Sequence, residues 1–157
     1  MIKLLVVDVD GTLTDGMVYI GNNEELCKGF YVRDGLGIIS IIKNGVKPII
    51  LTSRESGIVT VRAGELGIKE IYQHVPDKRE FLEKYLKENG YASEETSYMA
   101  DDINDYEAIQ LAGLRGCPSD AVPEMKNICN FVSRFQGGRG AVREFCDFIV
   151  GSCVRER

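Results

Sequence analysis

The chain has 157 residues, of which 44% are hydrophobic and 27% are charged, a composition typical of a globular domain with a sizeable core. The formal net charge of -5 argues against general nucleic-acid binding, because no large basic field is available to attract a phosphate backbone. No apolar run approaches the roughly 20 residues of a membrane span, and the first residues lack the cleavage site of a signal peptide. We therefore expect a cytoplasmic protein with no nucleic-acid or membrane partner.

The cysteines argue for a reducing environment and against a zinc site. They are odd in number and form no Cys-x-x-Cys pair, so reduced thiols are expected. The only histidine is His74, too few for a typical zinc site with scattered cysteines. A cysteine nucleophile with a histidine base is a weaker hypothesis than carboxylate chemistry, since nothing places His74 beside a cysteine.

The chain begins with an apolar strand over residues 2–8 and continues into two short β-prone runs around a Gly-Asn-Asn turn. We interpret the segment of about 17–32 as a small β-hairpin flap, too short to be a separate cap domain. Asp34 is expected to cap a helix from about Gly35 to Lys43, and Arg33 is its candidate ion partner.

The rest of the chain alternates strands with helices. Strands are predicted over 46–51, 68–72, 97–100, 114–117 and 130–132, and helices after 54 to about 66, and over 77–90, 104–112, 121–127 and 141–150. This order predicts an α/β fold, a Rossmann-like three-layer α/β/α arrangement with a central parallel sheet. We expect a single domain over 1–157, closed by a tail and helix of about 136–157.

Polar side chains follow the strands at the points where these end. The clusters are Asp8 with Asp10, Thr52 with Ser53, and Asp101 with Asp102. Because the carboxyl ends of parallel strands meet at one edge of a sheet, we expect these groups to lie close together. Lys78, at the start of a helix, is expected beside the same edge.

Carboxylates without histidine or thiolate partners favour Mg²⁺ over zinc, and Asp8 and Asp101 are the candidate ligands. This set suits phosphoryl transfer. One aspartate attacks phosphorus, while Lys78 and the metal balance the charge on the phosphoryl oxygens. Asp10 is placed to protonate the leaving oxygen and then to activate water.

Four segments of the chain together resemble the four motifs of the haloacid dehalogenase superfamily phosphatases. They are Asp8-Val9-Asp10-Gly11-Thr12, Leu51-Thr52-Ser53, Lys78 and Asp101-Asp102-x-x-Asp105. The resemblance implies the haloacid dehalogenase-like form of the predicted fold. It also implies the following roles: Asp8 as nucleophile, Asp10 as general acid/base that also gives the metal its carbonyl oxygen, Thr52 as phosphoryl donor, Lys78 as cation, Asp101 as Mg²⁺ ligand, and Asp102 and Asp105 as outer residues of the metal site.

Further segments resemble the capless 3-deoxy-D-manno-octulosonate 8-phosphate phosphatases. They are Leu13-Thr14-Asp15-Gly16, Val32-Arg33-Asp34-Gly35-Leu36-Gly37-Ile38 and Gly137-Gly138-Arg139-Gly140-Ala141-Val142-Arg143-Glu144. The resemblance implies a Mg²⁺-dependent phosphomonoesterase of lipopolysaccharide precursor synthesis, acting on an acidic sugar phosphate through an aspartyl-phosphate. It also implies a homotetramer in which the flap of one subunit and the tail of another help close an active site.

Two other functions stay open at this stage. One is a 2-keto-3-deoxynonulosonate 9-phosphate phosphatase, and the other is a non-catalytic oligomerisation module like the phosphatase-like domain of some sialic acid cytidylyltransferases. The substrate-binding candidates are Thr12, Ser53, Arg54 and Arg139, the last of these in cis or in a neighbouring subunit. Arg54 follows the octulosonate type, whereas Ser53 and Ala100 each replace a glycine that is usual in the family.

Overall fold

The computed structural model describes residues 1–155, and their side chains as far as Gly151. The last two residues of the predicted C-terminal tail, and the Cys153 side chain, lie outside the described part. Within that part, none of the helices is long and apolar enough to cross a membrane. The cysteines whose side chains are described all carry free thiols: Cys27, Cys117, Cys129 and Cys146.

A central parallel sheet carries the fold, with its strands in the order β5-β4-β1-β6-β7-β8. The strands are β1 Leu4–Val7, β4 Lys47–Leu51, β5 Glu70–Tyr72, β6 Thr96–Met99, β7 Leu114–Cys117 and β8 Phe131–Val132. A separate antiparallel hairpin pairs β2 Tyr19–Ile20 with β3 Glu25–Cys27. The helices are α1 Val32–Lys43, α2 Gly57–Leu66, α3 Lys78–Asn89, α4 Tyr106–Ile109, α5 Pro123–Ile128 and α6 Ala141–Arg155.

Strand β1 lies at the middle of the sheet and is buried on both faces. Leu5 and Val7 pack into one core with residues of α1, α2 and α6, while Leu4 and Val6 pack into the other with residues of α3, α4 and α5. Each such side chain stabilises the fold by about 1.5–3 kcal/mol when fully buried. The three-layer parallel architecture predicted from the sequence is confirmed.

The predicted start of the first long helix was wrong. Helix α1 begins at Val32, so Asp34 lies within its first turn and does not cap it. Its buried carboxylate instead accepts hydrogen bonds from Gly140 N (3.3 Å) and Arg143 N (2.8 Å), at the start of α6. Helices α1 and α6 pack side by side although they are distant in sequence. The Asp34 carboxylate therefore links α1 to the start of α6.

The cap predicted at Asp77 is confirmed, since its carboxylate accepts a hydrogen bond from Glu80 N at the start of α3. The helix predicted over 104–112 is shorter, a 3₁₀ turn over Ile103–Asp105 that continues into α4. This turn directs Asp105 into the interior, where it is fully buried.

Candidate active site

Three adjacent strands of the sheet, β4, β1 and β6, end at a single cleft of about 320 Å³. Loops that leave these strands supply its walls. The lining residues are Asp8, Asp10, Gly16, Thr52, Ser53, Arg54, Asp101, Asp102, Ile103 and Asn104. The polar groups predicted to meet at this edge of the sheet are therefore brought together.

Lys78 is buried between two carboxylates at the base of this site. Its Nζ donates to Asp8 Oδ1 (2.8 Å) and to both oxygens of Asp105 (2.7 and 2.9 Å). Burial alone would lower the pKa of Lys78, but the two carboxylates outweigh it and raise that pKa. Lys78 is therefore a fixed cation beside Asp8.

Asp8 is the buried carboxylate that faces this cation. Burial, together with repulsion from Asp105, raises the pKa of Asp8 to about 8, although Lys78 acts in the opposite direction. Two carboxylates share one lysine here, so a further cation in the cleft would favour the ionised form that a nucleophile needs.

Asp105 lies deeper than the sequence suggested. Besides Lys78, its Oδ1 accepts a hydrogen bond from the buried Tyr98 hydroxyl at 2.5 Å. Its contacts orient Lys78, and through Lys78 they reach Asp8. Asp102 is exposed at the cleft edge, where its carboxylate accepts a hydrogen bond from Ile103 N.

Asp101 packs directly against the turn that carries the first pair of aspartates. Its Oδ1 accepts a hydrogen bond from Thr12 Oγ1 at 3.2 Å. Gly11 has φ +90°, and a Cβ there would lie 2.0 Å from Asp101 Oδ2, so only glycine allows this approach. Burial raises the pKa of Asp101 to about 6 even though the Thr12 hydroxyl opposes the shift.

The donor set of the cleft fits a small divalent cation. Asp8 and Asp101 are two desolvated carboxylates that line the same cleft, and the family resemblance implies that Asp10 adds its backbone carbonyl oxygen. Within the described residues, no group of three or more His, Cys, Asp or Glu side chains is arranged to hold a metal. Mg²⁺ does not need one, because it takes one or two carboxylates and fills its other positions with water and phosphate oxygens.

The Thr52 backbone is held by the end of strand β5 and by the loop that follows it. Thr52 N donates to Tyr72 O (2.9 Å), and Thr52 O accepts from Val75 N (3.2 Å). The Thr52 side chain is buried at the cleft, whereas Ser53 and Arg54 are exposed on its rim. Arg54 Nε lies 3.7 Å from Asp10 Oδ2.

Arg139 does not line this cleft. It lines a second one, between the start of α6 and the start of α1, together with Tyr31, Arg33, Arg134 and Arg143. The two residues before it do touch the turn Val9–Leu13, which carries Asp10 and Thr12. Gly138 N donates to Thr12 O (3.0 Å), and a Cβ at Gly137 would lie 1.8 Å from the Gly11 carbonyl oxygen.

Sequence reasoning missed Lys28, whose Nζ lies 2.5 Å from Asp10 Oδ1 and 2.8 Å from Glu25 Oε1. No motif marks this residue, because its approach to Asp10 depends on how the hairpin folds back. A single lysine after an exposed hairpin gives no periodic signal. Tyr98 was missed for a related reason, since a buried strand tyrosine is ordinarily interpreted as core.

Comparisons with known proteins identify the family of this chain. Residues 49–145 match the family model of the haloacid dehalogenase-like hydrolases. The 3-deoxy-D-manno-octulosonate 8-phosphate phosphatase of Escherichia coli K12 is 39% identical over 149 residues, which cover 95% of this chain and 79% of the relative.

Two solved structures superpose closely on this fold. The cobalt-bound octulosonate 8-phosphate phosphatase of Haemophilus influenzae has a TM-score of 0.91 and 36% identity, covering 96% of this chain and 88% of its own. The Moraxella catarrhalis phosphatase, in complex with magnesium, phosphate and KDO (the octulosonate sugar), has a TM-score of 0.91 and 36% identity, covering 96% and 86%. This chain therefore belongs to the 3-deoxy-D-manno-octulosonate 8-phosphate phosphatase family of the haloacid dehalogenase-like hydrolases.

Proposed function

We propose that this chain hydrolyses 3-deoxy-D-manno-octulosonate 8-phosphate to the free sugar acid and inorganic phosphate, with Mg²⁺ as cofactor. The observation that carries the proposal is the buried Asp8, held by Lys78 at the end of the central strand, in one cleft with Asp10 and Asp101. The Escherichia coli K12 relative is a phosphatase. The cleft of this chain combines carboxylates with the Thr52 hydroxyl, and Lys78 contacts Asp8, which supports phosphoryl-transfer chemistry.

In the first half of the reaction, an Asp8 carboxylate oxygen bonds to phosphorus while the bond from phosphorus to the sugar oxygen breaks. Asp10 gives a proton to that oxygen, which leaves as the sugar hydroxyl. Lys78 and the Thr52 hydroxyl offset the charge on the phosphoryl oxygens.

In the second half, Asp10 takes a proton from water as the water oxygen bonds to phosphorus. The bond between phosphorus and Asp8 then breaks, which releases phosphate and restores the carboxylate. Asp8, Asp101 and the Asp10 carbonyl oxygen would hold Mg²⁺, which would supply positive charge to offset the charge of the phosphoryl group. Asp105 keeps Lys78 in place throughout, because it holds the ammonium with both oxygens.

Arg54 is the proposed contact for the sugar carboxylate, since it stands on the rim of the cleft and is half exposed. Arg54→Gln is then expected to raise KM for the octulosonate phosphate about tenfold or more, as expected for loss of a charge-assisted contact. KM for 4-nitrophenyl phosphate, which has no carboxylate, should stay the same. An equal change for both substrates would contradict this role.

A homotetramer is the proposed assembly. The flap segment exposes four large apolar side chains, of the kind that subunit contacts cover: Met17, Tyr19, Ile20 and Leu26. Light scattering on the purified protein should give four times the chain mass, and Ile20→Asp should lower it. In such an assembly, Arg139 is proposed to reach a neighbouring subunit's cleft. A monomeric wild type would contradict both statements.

The substrate is tested by phosphate release from a panel of sugar phosphates with Mg²⁺. We expect kcat/KM for octulosonate 8-phosphate to exceed that for 2-keto-3-deoxynonulosonate 9-phosphate by about tenfold or more, since the two sugars differ in length. A higher kcat/KM for the nonulosonate 9-phosphate would instead identify the longer sugar phosphate as the substrate. If the protein forms a stable oligomer but hydrolyses no phosphomonoester, the non-catalytic oligomerisation module would be favoured instead.

A further inference from the structure

Lys28 follows the hairpin strand β3 and reaches back to Asp10 in the turn Val9–Leu13. Its side chain is only 1% exposed, and its Nζ lies between Asp10 Oδ1 (2.5 Å) and Glu25 Oε1 (2.8 Å). Among the described residues, Lys28 is not one that lines the cleft, so its contact with Asp10 is buried away from solvent. A buried ammonium of this kind is stable only with its carboxylate partners in place.

Glu25, the second carboxylate partner of Lys28, is itself anchored to residues outside the hairpin. Glu25 Oε2 accepts a hydrogen bond from Ser56 Oγ at 2.5 Å, and Ser56 N donates to Gln73 Oε1 at 2.7 Å. Gln73 in turn donates to Thr60 Oγ1 of α2 at 3.0 Å. Lys28 is therefore fixed by a chain of hydrogen bonds that joins the hairpin to α2.

We propose that Lys28 is a positioning residue, which holds the Asp10 carboxyl in the orientation that protonates the leaving sugar oxygen. Lys28 occupies Oδ1 and leaves Oδ2 on the side of Arg54, which lines the cleft. The Asp10 side chain is 20% exposed, and its Oδ2 lies 3.7 Å from Arg54 Nε, beyond hydrogen-bond distance. Without Lys28 the Asp10 carboxyl can therefore rotate away from the substrate. This inference rests on the proposed function of Asp10 as general acid.

The test uses two esters whose leaving groups differ in their need for a proton. A sugar alkoxide requires protonation as it leaves, whereas 4-nitrophenolate leaves without it. For Lys28→Met, kcat/KM for octulosonate 8-phosphate is expected to fall by about 10- to 100-fold, part of the usual contribution of acid catalysis. For 4-nitrophenyl phosphate, it should change less than about threefold. Lys28→Arg, which keeps a cation at this place, should restore much of the loss.

Two further variants separate positioning from simple folding effects. Glu25→Gln weakens the anchor of Lys28 without touching Asp10, and should show the same selective loss at smaller size. Lys47→Met breaks the ion pair with Glu70 at the opposite end of the sheet, and should leave both rates unchanged. Thermal unfolding of each variant reports its stability.

An equal loss on both esters in Lys28→Met and Glu25→Gln would overturn the proposal, as would no loss on either ester. A wild type that cleaves 4-nitrophenyl phosphate but not the octulosonate phosphate would overturn the proposed substrate alone. In that case, wild type and Lys28→Met are compared on 4-nitrophenyl phosphate and on glycerol 3-phosphate, another ester with an aliphatic leaving group. A selective loss on that ester would still support the role of Lys28.

Discussion

The contact between Gly137 and the turn Val9–Leu13 leads to a sharp mutational prediction. A Cβ at residue 137 would lie 1.8 Å from the Gly11 carbonyl oxygen, whereas Cβ contacts essentially never fall below 3.0 Å. The two backbone segments must therefore separate by about 1.2 Å in Gly137→Ala. Both are main chain, so no flexible side chain can absorb the change.

The turn that moves carries Asp10 and Thr12. A misplacement of about 1 Å in a catalytic group can lower the rate about 100-fold, so we expect a loss of that order in kcat/KM. Overpacking of this kind costs about 1–3 kcal/mol, which for a chain of this length lowers Tm by about 3–10 °C.

The assay is phosphate release, with thermal unfolding measured on the same samples. Gly64→Ala is the matched control, because Gly64 lies inside α2 and a Cβ there meets nothing within 4 Å. That variant should keep full activity and gain about 0.5–1 kcal/mol from helix propensity. A Gly137→Ala enzyme within twofold of wild type, with unchanged Tm, would refute the close approach described above.

Two other predictions concern the stability of the protein. Asp34→Ala removes the acceptor for two main-chain donors at the start of α6 and should cost about 2–4 kcal/mol in urea unfolding. The control Asp147→Ala loses only an exposed ion pair to Arg143, so its cost should stay below about 1 kcal/mol, and equal losses would contradict the assignment. In the metal-free protein, burial raises the pKa of Asp8 to about 8 and of Asp101 to about 6, from an ordinary value of 3.8. The native state then binds more protons than the unfolded state, so the free energy of unfolding should fall as pH rises from about 4 to about 8. Added Mg²⁺ should raise Tm more at about pH 8 than at about pH 5, and a Tm independent of pH and metal would contradict this.

The sheet and the meeting of the polar groups in one cleft could be predicted because they depend on local patterns. Four apolar residues followed by Asp8 and Asp10 mark a buried strand and its end, and parallel topology brings that end beside Thr52 and Asp101. These relations follow from strand periodicity and from the connection rules of α/β folds, so no side-chain detail is needed.

The relations that could not be predicted depend on long-range packing. Asp34 looked like the cap of its own helix, yet its hydrogen-bond donors lie more than 100 residues away along the chain. Asp105 looked peripheral to a metal site, but the 3₁₀ turn directs it onto Lys78. Lys28 reaches Asp10 only because the hairpin folds back, and neither periodicity nor a motif reports such a path.

The aspartyl-phosphate on Asp8 is the central claim, and its most direct test is a rapid-quench experiment. Wild-type enzyme mixed with octulosonate 8-phosphate and Mg²⁺ should carry one phosphoryl group on the peptide that contains Asp8, detected by mass spectrometry during turnover. Asp8→Asn, with its fold intact by circular dichroism, should carry none and release no phosphate. Phosphate release by Asp8→Asn at a substantial rate, or a phosphoryl group on another residue of the wild type, would contradict the account.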